Sequence, residues 1–289
     1  AALFRVAILT RLTAEPKEAL AIGRQALERQ KRFVEAHPDI VQYRRDLAAS
    51  YHNVGYLEHK LGRSREALSY LAAARRIREE LSDNQPENLD YQSELAGVLN
   101  DVGLAWYRLG QEKDDPSLYS TAEQLFRSAR ERQRKVSSDA PHVLRYRILA
   151  EIHAYNLARL VAELGRPAEA VPLVDEMLAA HPDDAEVLIR AARVLALVSR
   201  AMKGSPEAEK HAERAVILAS RAFLDMPNNI GQPPLRYPEL AWLNDRADFQ
   251  KLLTTYNLRE GSTPAIVPAR SGSTASVPAP AAPPEAPRP

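Results

Sequence analysis

The feature that most constrains this chain is a recurrence. Tyr43 returns as Tyr91, Gly55 as Gly103 and Leu61-Gly62 as Leu109-Gly110, and Ala19 maps onto Ala67, each 48 residues on. The unit reads most clearly between Tyr43 and Pro86, YRRDLAASYHNVGYLEHKLGRSREALSYLAAARRIREELSDNQP. It predicts two helices folded around a turn at Leu61-Gly62-Arg63. Self-similarity at a fixed period of this size is the signature of a solenoid, in which each unit buries its apolar face only against its neighbours.

Small residues mark each unit at fixed places: Gly55, Ala67, Ala74 and Pro86, then Gly103, Ala122, Ala129 and Pro141. Ala158, Ala170, Met177 and Pro182 follow, and then Ala192, Ala208, Ala215 and Pro227. A large hydrophobe stands four after the Ala as Leu71, Phe126 and Val174, but the fourth unit has Ala212 there. This pattern resembles the tetratricopeptide repeat (TPR). The resemblance implies an all-α, right-handed superhelix of helical hairpins that binds proteins.

The spacing departs from the family's thirty-four residues. Ala67 to Pro86 and Ala122 to Pro141 span 19 residues, whereas Ala170 to Pro182 spans 12. Pro86 to Gly103 and Pro141 to Ala158 span 17, whereas Pro182 to Ala192 spans 10. Each difference is seven residues, about two helical turns. A heptad lengthens a helix while keeping its buried face nearly in phase. The hairpins are therefore expected to be stretched by two turns everywhere except around Pro182.

These marks predict helices at about 16–36, 40–61, 64–83, 88–109, 117–137, 142–164, 167–180, 184–202 and 205–224. Residues 1–12 read as the back half of a truncated first hairpin, so the chain is expected to be a segment of a longer protein. Seven extra residues, Gln111 to Ser117, are expected as a polar surface loop. The repeat array is assigned to 1–227, a helical cap to 228–257 and a disordered Pro/Ala-rich tail to 258–289. Trp242, Leu243, Phe249 and Leu252 are expected to be the buried side of the cap. The tail has too few large hydrophobes to offset its ordering entropy.

Charge and motifs exclude several function classes. The formal net charge is +1, so no bulk field favours nucleic acid or membrane. The basic runs Arg24 to Arg32, Arg75 to Arg78 and Arg127 to Lys135 interleave with acids at helical spacing. Arg24 with Glu28, Glu28 with Arg32, Arg75 with Glu79 and Arg76 with Glu80 read as (i, i+4) pairs on solvated faces. Cysteine is absent, which removes disulfides, thiolate catalysis and Cys-type zinc sites and fits a reducing compartment; a cytoplasmic location is expected. No apolar run approaches the roughly 18–20 residues of a membrane span. Hydrolase, zinc-protease, P-loop and dinucleotide motifs are missing, and the seven His are scattered. No catalysis, metal or cofactor is expected.

The TPR resemblance implies a concave groove lined by the first helix of each hairpin. Position for position it places His52, Tyr56, Asn100, Leu104, Tyr155, Arg159, Ile189 and Arg193 there, with His59, Lys60, Tyr107 and Arg108 one turn further on. Such a mixture suits a peptide held through its backbone and a carboxylate. The carboxylate clamp of chaperone-binding TPR domains is not matched, since only Asn100 fills one of its slots. Over roughly 15–257, PDxxxYRRDLAASYHNVGYL, REAL, ERAVIL and LNDRADFQKLL are similar to the C-terminal TPR region of large bacterial serine/threonine protein kinases. That resemblance implies a non-catalytic recruiting arm. A self-associating scaffold and a nucleic-acid-binding helical repeat are the alternatives.

Overall fold

The computed structural model describes residues 16–225 and 237–255, and every regular element among them is helical. Helix α1 (Pro16–Ala36) opens the array. Four hairpins follow: α2 (Val41–Lys60) with α3 (Ser64–Asn84), α4 (Leu89–Lys113) with α5 (Pro116–Asp139), α6 (Leu144–Glu163) with α7 (Pro167–Ala180), and α8 (Ala185–Ala201) with α9 (Pro206–Asp225). A 3-10 turn (Pro238–Leu243) and α10 (Ala247–Thr255) close the described chain. Each helix packs on the next, and the first helices α2, α4, α6 and α8 also touch in succession. That is the solenoid arrangement the recurrence predicts. The expected first half-helix at 1–12 and the Pro/Ala tail lie outside the described residues.

Local chemistry fixes the helix ends. Gly62 and Gly165 adopt φ of 79° and 71°, the left-handed turn that ends α2 and α6 at little steric cost. Asp115 accepts the Ser117 N–H at 3.0 Å, and Asp184 accepts those of Glu186 and Val187 at 2.9 and 3.1 Å. Each satisfies first-turn donors that would otherwise lack partners. Pro116 and Pro167 start α5 and α7, where a missing N–H is harmless.

The small-residue marks are close approaches. At Gly55 an added Cβ would stand 2.7 Å from Leu71 Cγ, and at Gly103 it would stand 2.7 Å from Phe126 Cε1. Leu71, Phe126 and Val174 are each fully buried. In the units where the large residue is Val174 or Ala212, the residue equivalent to the Gly is Ala158 or Ala192. The volume of the pair is thus conserved only loosely, while both members stay buried.

The heptad argument holds for α7, which has 14 residues against 21 in α3 and 24 in α5. The loop expected at 111–117 does not form as such. Helix α4 runs on through Gly110 to Lys113, and the turn is confined to Asp114 (φ 52°) and Asp115. Gly110 lies within the helix, and Tyr119 packs over it with Cε1 2.9 Å from where a Cβ would be, which only glycine allows.

Two further expectations need correction. The basic runs pair across helices as well as along them: Arg24 meets Glu58 at 2.5 Å and Lys31 meets Glu28 at 2.7 Å, while Glu80 is taken by Arg44 at 2.5 Å. Of the four expected (i, i+4) pairs only Arg75–Glu79 (2.7 Å) is kept. In the cap, Leu243, Phe249 and Leu252 are buried as expected, joined by Leu240 and Leu253, but Trp242 is 36% exposed. The 3-10 geometry, at three residues per turn, puts Leu240 and Leu243 on one side and turns Trp242 away. Its Nε1–H donates to Ser199 Oγ at 3.3 Å, and Lys203 stands over its ring at 5.4 Å.

Candidate partner-binding cleft

The C-terminal halves of α2, α4 and α6 converge on a cleft of about 630 Å³. Of the residues the sequence singles out, His59, Lys60, Leu104, Tyr107, Arg108, Tyr155, Arg159 and Arg193 line it. Each stands on a first helix, so the cleft forms because equivalent turns of successive hairpins lie side by side.

Arg159 is at its centre. Its guanidinium lies 4.8 Å from the Tyr107 ring centroid and 5.8 Å from that of Tyr155. Among the described residues no carboxylate is in ion-pairing range of it, and its Nε is buried without a hydrogen-bond partner. Burial opposes its charge, but the oxygens of Tyr155, Tyr107, Glu163 and Glu239 more than restore it, so the group is held firmly cationic. Both tyrosines are themselves buried, and burial pushes both phenols up. Tyr107 is fixed by two bonds: its hydroxyl donates to Glu163 and accepts from Gln111 Nε2 at 2.7 Å. Burial likewise holds the Glu163 carboxyl above its ordinary range.

The flanks differ in charge state. Arg193 stacks on Tyr155 at 5.2 Å and on Tyr237 at 4.4 Å, and it donates to both Glu239 oxygens at 3.2 and 2.8 Å. It is therefore a neutralised clasp between α8 and the cap. Burial opposes ionisation of Glu239, but Arg193 outweighs it and holds that carboxyl low. Across the cleft, Lys60 lies over the Tyr56 ring at 5.6 Å, and Arg108 meets Glu112 at 3.3 Å. Burial lowers the pKa of His59, so the imidazole is neutral near pH 7.

Four expected members do not line the cleft. His52 is bound from two sides: Asp101 Oδ2 lies 2.7 Å from its Nε2, and Arg78 donates to its Nδ1 at 3.2 Å. Since Arg78 is always a donor there, Nε2 carries the proton that goes to Asp101. Asn100 is buried, accepts from Asn156 at 2.8 Å and donates to Asp101 at 3.1 Å. Residues three before the Gly position thus face the neighbouring first helix and stitch successive hairpins together. Tyr56 sits at the edge, partly buried against the α1–α2 core. Ile189, from the same alignment, is buried in the core.

Sequence reasoning missed Gln111, Glu112 and Asn156, which also line the cleft. Gln111 and Glu112 stand one turn beyond Tyr107 and Arg108, and they were hidden by ending α4 at 109. Among the described residues no group of three His, Asp or Glu could hold a metal ion, and no helix is long and apolar enough to cross a membrane.

Comparison with known proteins agrees with the helical-hairpin fold. The tetratricopeptide repeat family matches residues 47–87, spanning α2 and α3, and residues 153–194, from α6 into α8. No curated protein matches the sequence. The chain is similar in structure to BtubC (BKLC) from P. vanneervenii, at 16% identity and a TM-score of 0.53, covering 90% of this chain and 98% of that one. It is also similar to the nearly identical TPR-like repeats of a Podospora anserina chain named as a kinesin light chain, at 20% identity and a TM-score of 0.51 over 76% of this chain and 94% of that one. At these identities the likeness shows the fold alone. The chain is an all-α solenoid of TPR-like hairpins.

Proposed function

We propose that this solenoid is a protein-capture module whose cleft holds a segment of a partner protein. The single observation that carries the reading is Arg159, a cation stacked on two buried tyrosines and left without a carboxylate of its own. An internal ion pair would have satisfied the fold. An unpaired guanidinium beside Lys60 favours a carboxylate from outside, with the aromatic walls excluding water and strengthening the attraction. The remaining groove residues, His59, Leu104, Tyr107, Arg108 and Tyr155, give shape and hydrogen bonds along the segment. His52 and Asn100 act behind them as positioning residues.

The fuller reading is that the module is the non-catalytic recruiting arm of a cytoplasmic bacterial serine/threonine protein kinase. It rests on the sequence resemblance over roughly 15–257 and is tested by reading the coding frame upstream of Ala1 for a Gly-rich loop, an HRD-type loop and a DFG. Of the 228–257 segment, the described residues 237–255 serve as the cap. The groove is tested with Lys60→Ala combined with Arg159→Ala, both residues that line it. Partner capture is expected to be lost with helicity unchanged; capture that survives overturns the groove.

A further inference from the structure

A second site follows from the one helix that is too short. Leu89 is the first residue of α4 and Leu144 the first residue of α6, so the two occupy equivalent places in successive hairpins. Leu89 packs against Val136 and Ala140 at the end of α5 and against Tyr146. Leu144 has no such cover. In register from Ala170, helix α7 stops at Ala180 about two turns before the place where α5, counted from Ala122, ends at Asp139, and no residues of α7 correspond to Val136 and Ala140. Leu144 is 58% exposed and Ile148, one turn along, 42%.

Beside this apolar step lies a cleft of about 430 Å³ among the ends of α5 and α7 and the first half of α6. Two acids reach it, and both are already engaged: Glu151 by His181 at 2.6 Å and Glu176 by Arg130. The two cations that line it, Arg134 and Arg147, have no carboxylate within ion-pairing range among the described residues. The Nε of Arg147 is buried without a hydrogen-bond partner. The gap therefore presents apolar surface next to uncompensated positive charge.

We propose that an acidic amphipathic helix of a partner protein docks here, taking the place of the two turns α7 lacks. Its apolar side chains cover Leu144 and Ile148, and its carboxylates pair with Arg147 and Arg134. The geometry favours a helix because the missing element is a helix, about 10 Å of it. A docked helix continuing α7 sets its N-terminus against the C-terminus of α7, so the helix dipoles run head to tail. This site is separate from the Arg159 cleft and does not depend on it.

The test uses two synthetic peptides, 14 residues each by design, about four turns of helix. Both carry leucines at i, i+4 and i+7; one is flanked by glutamates, the other by lysines at the same places. Fluorescence anisotropy with the full 289-residue chain is expected to show the glutamate peptide binding about tenfold tighter than the lysine peptide. Leu144→Ser and Arg147→Glu each weaken the glutamate peptide about fivefold or more, with circular dichroism unchanged, while Arg159→Ala has no effect. Four results overturn the proposal: equal affinity for the two peptides, no saturable binding up to about 1 mM, binding lost through Arg159→Ala instead, or a dimer in sedimentation that Leu144→Ser dissolves. The last would make a second copy of the chain the occupant.

Discussion

Gly103 lies so close to Phe126 that a β-carbon there would stand 2.7 Å from the ring's Cε1. The ring is fully buried and has no room to retreat. Gly103→Ala gains about 1 kcal/mol of helix propensity and loses more to overpacking, which typically costs about 1–3 kcal/mol. A net loss of about 1 kcal/mol is expected in urea denaturation. The same change at Gly97, where a Cβ meets only His52 at 3.9 Å, is expected to stabilise.

His153 supplies a pH dependence. Burial lowers its pKa to about 4 from an ordinary 6.5. The unfolded chain therefore takes up a proton that the folded chain refuses. The associated stability is fully present above about pH 6.5 and is lost as pH falls toward 4, by roughly 3 kcal/mol in all. His59, also lowered by burial, adds in the same direction. Chemical denaturation at a series of pH values is expected to show a shallower acid arm for His153→Leu than for the parent protein.

Arg193 and Glu239 clasp the cap to α8 while both are largely buried. Removing one partner strands the other, which typically costs about 3–5 kcal/mol for a buried pair. Glu239→Ala is expected to destabilise strongly and to speed hydrogen exchange in Ala247–Thr255 first. Removing both, with Arg193→Met and Glu239→Leu, is expected to restore most of the stability in a double-mutant cycle.

Asp114 holds the left-handed conformation at the end of α4 with φ of 52°. Glycine takes that conformation without the penalty of a β-carbon. Asp114→Gly is expected to raise stability by about 0.5–1 kcal/mol, measured by thermal unfolding.

The array was legible because its signals repeat. Gly55 and Gly103, read only as marks in a pattern, prove to be positions where a helix meets Leu71 and Phe126 face on. The seven-residue deficit between Ala170 and Pro182 reappears as the short α7. What failed were inferences from single residues. Gly110 looked like a helix end by analogy with Gly62, yet α4 runs on through it beneath Tyr119, and Gln111 and Glu112 reach the cleft for that reason. His52 and Asn100 were placed by register alone. Register gives a direction from the helix axis, but it does not say that the next first helix stands in that direction with Asp101 and Asn156 on it. Trp242 is expected on the buried side together with Leu243, whereas the 3-10 turn decides which side of the cap is covered.

On the proposed function, a partner protein lies in the cleft around Arg159. A photo-crosslinking side chain at Leu104, inside the cleft, and another at Glu131, on the exposed face of α5, test it most directly. The account predicts a partner adduct from position 104 that Arg159→Ala abolishes, and none from position 131. An adduct from position 131 alone, or one from 104 that persists after Arg159→Ala, would contradict it.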